Sequence, residues 1–329
     1  MGEVHALAAE REVIFVGGKG GVGKTAVASA LALGAARSGR RALVVSTDPA
    51  HNLGHLWGRE VGDEPVDLLP ASTRAGGLRS LEIDPARTTE DHLRAVRSTL
   101  QRLMPERLHG EVARHLDLAR DAPGTHEAAV LERLAEVLEQ RRPGELVVVD
   151  TAPSGHTARL LALPEMMQAW TDGLLRRQER SARFGAAARG LAPDGGERGG
   201  ARDRRERRDE EIRAILERRQ ARLGGMRDLL QDEQRAAFVI VLAAERLPVL
   251  ESAELHAQLS RAGMSVGALV VNKRSPAGAG DLLAARREVE DGHLTRLAEL
   301  LPGLPVTQIP LLAGEVLGEE GLDQLGQYL

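Results

Sequence analysis

The sequence contains no cysteine and few aromatic side chains among its 329 residues. The absence of cysteine excludes disulfide bonds, zinc sites built from thiolates and catalysis by a thiol nucleophile. Aromatic residues make up only 2% of the chain, so the core has to be built from aliphatic side chains. Stacking platforms for single-stranded nucleic acid need aromatic faces, and the net charge of −4 gives no basic bias. The composition therefore does not favour a nucleic-acid-binding protein.

Long apolar stretches are also missing from the sequence. No window approaches the roughly 18 consecutive apolar residues that a membrane-spanning helix requires. Residues 1–18, MGEVHALAAEREVIFVGG, include acidic side chains and have no apolar run of the length found in a signal sequence. We therefore expect a cytoplasmic protein without an integral membrane segment.

Short β-type runs alternate with helical patterns along much of the chain. The runs are residues 12–18, 41–48, 144–153, 235–245 and 266–274, with a weaker sixth at 305–312. Several are continuously apolar, which is typical of strands covered on both faces of a parallel sheet. Helical patterns such as those of residues 26–39 and 251–263 lie between them. The alternation predicts an α/β fold with an open, mostly parallel sheet and helices on both faces.

Two segments depart from this alternation. Residues 85–142 and residues 164–234 have helical patterning and no strand signal. We interpret both as helical insertions that form a helical subdomain beside the sheet. Within the second, residues 190–213 are rich in Gly, Arg and Asp, which predicts a surface loop that leads into a charged helix. The organisation predicted is a single domain that spans residues 1–329.

Residues 18–25, GKGGVGKT, match the phosphate-loop pattern G-x-x-x-x-G-K-[ST] and lie between a β-type run and a helix of small residues. The residues expected to bind the nucleotide here are Gly18, Lys19, Gly20, Gly21, Val22, Gly23, Lys24 and Thr25. Glycines allow backbone N–H groups to turn toward phosphate oxygens, and the helix N-terminus adds a positive dipole end. We expect Lys24 to reach the β- and γ-phosphates of ATP and the Thr25 hydroxyl to bind Mg²⁺.

Lys19 is a second lysine that the general pattern does not require. The form KGGVGKT resembles the deviant Walker A loop of a branch of ATPases. This branch includes the nitrogenase iron protein, cell-division placement ATPases, chromosome-partition ATPases, arsenical pump-driving ATPases and tail-anchored-protein targeting ATPases. The resemblance implies that Lys19 reaches across a homodimer interface and stabilises charge on the nucleotide of the facing subunit. The other interpretation is a solvated loop lysine.

Two further segments resemble one part of that branch. Residues 46–58, STDPAHNLGHLWG, and residues 147–164, VVVDTAPSGHTARLLALP, are similar to switch I and switch II of the arsenical pump-driving and tail-anchored targeting ATPases. Residues 241–274 and 308–329 resemble the later core of the same family. The resemblance covers nearly the whole ATPase core and is weak in the helical insertions. Gly155 in the switch II segment is expected to sense the γ-phosphate and to signal to the downstream insertion.

Two aspartates are candidate magnesium ligands. Asp48 and Asp150 each follow a β-type run, at the edge of the predicted sheet where ligands bind in open α/β folds. With Thr25 they would suit a Mg²⁺ ion that keeps several of its waters. Asp150 ends the apolar run VVVD, which is the Walker B pattern. Each aspartate could instead be a helix cap or turn residue, an alternative more credible for Asp48 because a proline follows it.

The family resemblance implies roles for three more residues, and at a fourth position the sequence departs from the family. Asn272 would contact the adenine, Glu245 would lie near the nucleotide at the dimer interface, and Pro310 would pack on the base. On local grounds Asn272 could equally be a turn residue that follows a strand. Targeting ATPases carry a water-positioning aspartate in switch I where this sequence has His55. That histidine is a candidate catalytic base near neutral pH, and the alternative is a surface residue.

The sequence leaves open what the ATPase drives. Trivalent arsenic needs soft thiolate ligands, so the lack of cysteine argues against thiolate-based arsenite transport. A carrier of hydrophobic membrane-protein helices needs an apolar groove, and residues 160–187 have Leu, Met and Trp at roughly helical spacing. The same pattern suits packing against the sheet. The zinc clamp of the targeting family, a C-x-x-C motif, is absent, so a homodimer would have to close by other contacts.

The alternative is a partition or placement ATPase that binds DNA or a protein partner. Residues 313–329 contain no Lys or Arg for a basic amphipathic membrane helix. Residues 202–208, RDRRERR, are interrupted by acids and favour a solvated charged helix. We therefore expect a Mg²⁺-dependent ATPase that acts as a nucleotide-gated homodimer. A hydrophobic membrane-protein helix is one candidate cargo, and the sequence does not identify the client.

Overall fold

The computed structural model describes residues 2–48, 52–72, 75–103, 107, 109–120, 124–151 and 199–329. The strands in these residues are β1 (Val13–Gly17), β2 (Ala42–Ser46), β3 (Val66–Leu69), β4 (Leu78–Glu82), β5 (Leu146–Asp150), β6 (Ala236–Ala243), β7 (Val266–Arg274) and β8 (Val306–Pro310). The helices are α1 (Glu3–Glu10), α2 (Lys24–Arg37), α3 (Asn52–Trp57), α4 (Pro85–Leu103), α5 (His109–Ala119), α6 (Thr125–Glu139), α7 (Gly199–Gln231), α8 (Arg246–Arg261), α9 (Asp281–Leu300) and α10 (Gly318–Gly326).

The strands form one sheet in the order β3-β4-β2-β5-β1-β6-β7-β8. All neighbouring strands run parallel except β3 and β4, which are antiparallel. Every residue of β1, β2 and β5 is buried, so both faces of the central sheet are covered. This confirms the predicted open, mostly parallel α/β sheet and its six β-type runs.

Strands β3 and β4 are absent from the sequence prediction. β3 is an edge strand in which only Leu68 is buried, so it has no apolar run to detect. β4 buries Ser80 and Glu82 beside its two leucines, and Glu82 accepts a hydrogen bond from the Leu53 N–H at 3.2 Å. A strand of this composition gives no β signal in the sequence.

The chain divides into two compact units. The first comprises residues 1–85, 140–161 and 228–329 and contains the sheet. On one face of the sheet, the alanine-rich helix α2 has ten buried residues, since small side chains allow it to lie close to the strands. Helix α10 packs on α2 through Leu322 and Leu325, which belong to the same apolar cluster.

The second unit comprises residues 86–139 and 162–227, of which the described parts are helical. Its helix α6 buries residues at helical spacing, including Leu131, Leu134 and Leu138. Glu132 accepts hydrogen bonds from His92 on α4 (2.6 Å) and Arg219 on α7 (3.0 Å). Burial acts to raise the pKa of Glu132, but the His92 hydrogen bond and nearby arginines outweigh it and lower the pKa.

Candidate nucleotide-binding site

The glycine loop between β1 and α2 has a backbone that other residues could not adopt. Gly18 has φ +146° and Gly23 has φ +93°, both in the region that favours glycine. A Cβ on Gly18 would lie 2.0 Å from the Val241 carbonyl oxygen, and one on Gly23 would lie 2.5 Å from Asn272 Nδ2. Gly18 and Gly23 are therefore required by both backbone conformation and space.

The start of α2 is prepared for an anion. Gly23 precedes the helix, and within the described residues no side chain caps its first turn. The free N–H groups and the helix dipole therefore point toward the loop. Lys24 is 5% exposed and its Nζ donates to the Lys19 carbonyl oxygen at 3.2 Å. The structure thus places the ammonium of Lys24 inside the loop, as a phosphate-binding lysine requires.

Asp150, at the carboxyl end of β5, is completely buried beside the first turn of α2. Its Oδ2 accepts hydrogen bonds from Thr25 Oγ1 (2.7 Å) and Ser46 Oγ (3.5 Å). Burial raises the pKa of Asp150 to about 7, although the Thr25 bond and the Lys24 charge act to lower it. The negative charge of nearby Asp48 adds to the rise.

The environment of the other carboxylate oxygen of Asp150, Oδ1, is suited to a metal ion. Oδ1 is buried and has no hydrogen-bond partner among the residues described. A buried oxygen that lacks a partner and is costly to ionise is stabilised by a hard cation, so these residues fit Mg²⁺. No cluster of three or more acidic, histidine or cysteine side chains occurs in the described ranges. A magnesium ion would therefore take further ligands from the Thr25 hydroxyl, water and phosphate oxygens.

The switch I candidates lie after β2. The backbone N–H of Asp48 donates to Ser46 Oγ at 3.3 Å, and its side chain is half-buried. His55 is exposed on α3. This helix is anchored on both sides of His55, because Leu53 N–H donates to Glu82 (3.2 Å) and Trp57 Nε1 donates to Ser29 (3.3 Å). His55 as the catalytic base stays a prediction.

Asn272 and Lys273, at the end of β7, contact the phosphate loop directly. Asn272 Nδ2 donates to the Val22 carbonyl oxygen at 2.8 Å, and Lys273 Nζ donates to the Gly21 carbonyl oxygen at 3.0 Å. Asn272 is 5% exposed and its Oδ1 accepts the Lys273 N–H at 2.9 Å. The structure therefore gives Asn272 a bracing contact with the loop, and its contact with adenine stays a prediction.

The Lys19 side chain forms an ion pair with helix α8. Its Nζ lies 3.1 Å from Glu251 Oε1, and both side chains are about 40% exposed, at 41% and 39%. Glu251 Oε2 is buried and lacks a hydrogen-bond partner in the described part of the chain. The resemblance implies that Lys19 contacts the nucleotide of a facing subunit. In the single chain its ammonium instead pairs with Glu251 of the same chain.

The last two predicted residues lie at the ends of β6 and β8. Glu245 is exposed at the start of α8, where its Oε1 accepts from Arg286 Nη2 at 3.2 Å. Pro310 ends β8 opposite Arg274 of β7 and is half-buried. Both lie at the carboxyl edge of the sheet, and their roles at the base and the interface stay predictions. Gly155 and residues 160–187 lie outside the described residues.

Three functional side chains are missing from the sequence prediction. Ser46 joins Asp150 to the segment after β2, Glu251 holds Lys19, and Lys273 holds the loop. Ser46 is the first residue of the predicted switch I segment, residues 46–58, so its position alone could have identified it. Glu251 has no sequence signal, since its partner lies 232 positions away.

A glycine loop that leads from a buried strand into an uncapped helix, beside an aspartate bonded to the loop threonine, defines the class of phosphate-loop nucleotide-binding proteins. The sequence model of the anion-transporting ATPase family matches residues 11–329. The chain belongs to this family and is an ATP-binding ATPase, which confirms the family indicated by the loop and switch segments.

Relatives support the same assignment. The chain is 33% identical over 322 residues to "ATPase get3" of Aspergillus terreus, covering 96% of this chain and 89% of the relative. It is 31% identical to "ATPase GET3" of Podospora anserina, over 96% of this chain and 89% of the relative. Identity to "ATPase ASNA1 homolog 1" of Paramecium tetraurelia is 28%, over 96% and 91%. Within the part of the chain that the structure describes, no helix combines the length and apolar content needed to cross a membrane.

Proposed function

We propose that the protein is a Mg²⁺-dependent ATPase in which bound ATP causes two copies to pair, and that this pairing controls the binding of hydrophobic membrane-protein helices. The observation that carries the proposal is that the two lysines of the loop make different contacts. Lys24 lies within the loop, whereas Lys19 is part-exposed and pairs with Glu251. A single phosphate site needs only the first of these cations.

The chemistry of phosphate binding follows from the loop. Its N–H groups and Lys24 neutralise the β- and γ-phosphates, while Thr25 and Asp150 would hold the magnesium ion, with Asp48 close by. When bound, magnesium supplies positive charge that stabilises the phosphate oxygens during phosphoryl transfer. Asp150 is already hydrogen-bonded to Thr25 (2.7 Å), so these two groups need little rearrangement to act together.

Lys19 supplies the gate in this proposal. In the single chain its ammonium pairs with Glu251 at 3.1 Å. When two copies face each other, Lys19 would exchange Glu251 for the phosphates of the facing copy, as an arginine finger does. Hydrolysis would then depend on pairing, since a cation supplied in trans is typically worth about 10³–10⁵ in rate.

The gate is tested with Lys19→Ala and Lys24→Ala. We expect Lys24→Ala to lose ATP binding, and Lys19→Ala to bind ATP but to hydrolyse it at least about 100-fold more slowly. Light scattering with a hydrolysis-resistant ATP analogue should give a dimer for the wild type and a monomer for Lys24→Ala. Arg59→Ala, which removes an exposed cation elsewhere in the sheet unit, is the matched control. Normal hydrolysis by Lys19→Ala would overturn the role in trans.

The cargo is tested by capturing partners with the protein held in its analogue-bound state. The family resemblance supports hydrophobic helices, so we expect single-span membrane proteins to be enriched over the Lys24→Ala control. Salt-sensitive DNA binding in place of that enrichment would instead identify a partition-type ATPase. A cytoplasmic location belongs to the same proposal, and fractionation of cells tests it.

A further inference from the structure

The three lysines of this chain all lie at the phosphate loop. Only three of its 44 lysine and arginine residues are lysines, namely Lys19, Lys24 and Lys273. The first two belong to the loop, and the third reaches it from β7. In a chain that otherwise uses arginine for positive charge, all three lysines therefore contribute an ammonium group at the same loop.

The backbone at Lys273 is adapted to this contact. Lys273 has φ +58°, the only positive φ of a non-glycine residue in the described chain, and this conformation is unfavourable for an L side chain. The pairing of β7 with β8 shifts between Val271 and Arg274, so β7 contains one extra residue at this point. Such a bulge typically redirects a side chain near an active site.

The residues that follow the bulge are anchored to neighbouring elements, and these contacts maintain the strained backbone at Lys273. Arg274 is 2% exposed and bonds to Glu290 (2.6 Å), to Asp291 and to Gln308 (3.1 Å). Ser275 Oγ donates to Glu290 at 2.8 Å. Two buried residues that follow Lys273 are therefore anchored to α9 and β8, which leaves little freedom for the bulge to relax.

The contact orients the loop amides through the planarity of the peptide bond. In a trans peptide the C=O and the following N–H point in opposite directions. Lys273 holds the Gly21 carbonyl and Asn272 holds the Val22 carbonyl, both on the side of β7. The N–H groups of Val22 and Gly23 are therefore turned to the opposite side, where the loop receives phosphate oxygens.

We propose that Lys273 is a positioning residue for ATP, which acts by bonding the Gly21 carbonyl and so fixing the direction of the adjacent N–H group in the phosphate loop. This role depends on the ATPase activity alone and on neither the pairing of copies nor the cargo. If the Lys273 proposal fails, the proposed role of Lys19 in trans is unaffected. If the role of Lys19 fails, the Lys273 proposal is likewise unaffected.

The test replaces Lys273 with glycine. Glycine tolerates positive φ, so Lys273→Gly should keep or raise the Tm of the nucleotide-free protein. The loss of one charge-assisted hydrogen bond should raise KM for ATP and the Kd of a hydrolysis-resistant analogue by about threefold to tenfold. We expect kcat to stay within about twofold, because the residue orients the loop and does not contact the reacting atoms.

A rescue variant and a control complete the test. Lys273→Arg keeps a donor and should recover part of the affinity, whereas Arg296→Ala, an exposed cation on α9, should leave KM unchanged. If Lys273 were only a strained turn residue, Lys273→Gly would improve stability and leave KM and Kd at wild-type values. That result would overturn the proposal, as would an arginine variant that binds no better than the glycine variant.

Discussion

Replacement of Asp150 by asparagine should stabilise the metal-free protein at alkaline pH while it damages catalysis. The ordinary pKa of the carboxyl is 3.8, and burial raises it to about 7 in the folded chain. Below about pH 4 both states are protonated and the site costs no stability. As pH rises from 4 to 7 the unfolded chain ionises while the folded chain stays protonated, so stability falls, and above pH 7 the loss is constant.

The magnitude follows from the size of that shift. About three pKa units correspond to about 4 kcal/mol of free energy of unfolding, which is lost as pH rises from about 4 to 7, and about 3 kcal/mol of that loss falls between pH 5 and pH 8. The asparagine variant lacks this titration, so its advantage over wild type should grow by about 3 kcal/mol over that range. An opposing, pH-independent cost of about 1–3 kcal/mol arises because the new NH₂ group takes the place of the unpartnered Oδ1.

The assay is urea unfolding of both proteins in EDTA at several pH values. Asp67→Asn, which removes an exposed carboxylate from the edge strand β3, controls for the loss of one negative charge. Two unfolding curves that move in parallel with pH would refute the buried, costly carboxylate. ATP hydrolysis by Asp150→Asn in magnesium should fall by at least about tenfold, because the amide replaces an oxygen that a hard cation prefers.

Three further changes test other parts of the structure. Glu290→Ala should lower the free energy of unfolding by about 1–3 kcal/mol, because it removes the buried partner of Arg274 and leaves that guanidinium paired with the exposed Asp291, and urea unfolding measures this. Glu251→Gln should release Lys19 and lower the analogue concentration needed for pairing, by about twofold to fivefold in light scattering, since an exposed pair contributes under about 1 kcal/mol. His55→Ala should keep kcat within about threefold if the exposed histidine is a surface residue, whereas a catalytic base would lose 10²–10⁴-fold, roughly, in a steady-state assay.

Matched controls exist on the same helices. Glu288→Ala removes an exposed glutamate of α9 and should change stability by less than about 0.5 kcal/mol. Glu254 is an exposed residue one turn after Glu251 on α8 that accepts a hydrogen bond from Gln258, so Glu254→Gln is the control for the loss of a carboxylate on this helix. Equal effects of Glu251→Gln and Glu254→Gln on pairing would contradict the idea that Glu251 restrains Lys19. An unchanged free energy of unfolding for Glu290→Ala would contradict a stabilising role for the buried ion pair with Arg274.

The central sheet was predictable because its strands are covered on both faces. A continuous apolar run such as that of β5, with all five residues buried, has no other compatible environment. The loop was predictable because steric limits leave only glycine at its positive-φ positions, such as Gly18 and Gly23. Strand β3 was missed because its stability comes from pairing with β4 rather than from its own burial.

The contacts that tune the site were not predictable from the sequence. Asn272 could be assigned to the site by resemblance, but its bond to the Val22 carbonyl depends on the distance between β7 and the loop, 250 positions apart. Lys273 follows it in the chain, yet local patterns give no sign of its left-handed backbone, which neighbouring elements impose. Such long-range constraints are set by the topology of the fold, and local secondary-structure propensities contain no information about them.

The packing of α10 on α2 has a consequence for synthesis of the protein. The cluster beneath the phosphate helix is completed by Leu322, Leu325 and Leu329, and α1 joins it through the bond from His5 to the Gly326 carbonyl oxygen (3.0 Å). A nascent chain emerges from the ribosome N-terminal end first. The loop of residues 18–25 is made early, but its supporting helix keeps an uncovered apolar face until residues 318–329 have left the exit tunnel. Competence to bind ATP should therefore arise only after residues 318–329 have emerged, well after the loop itself is made.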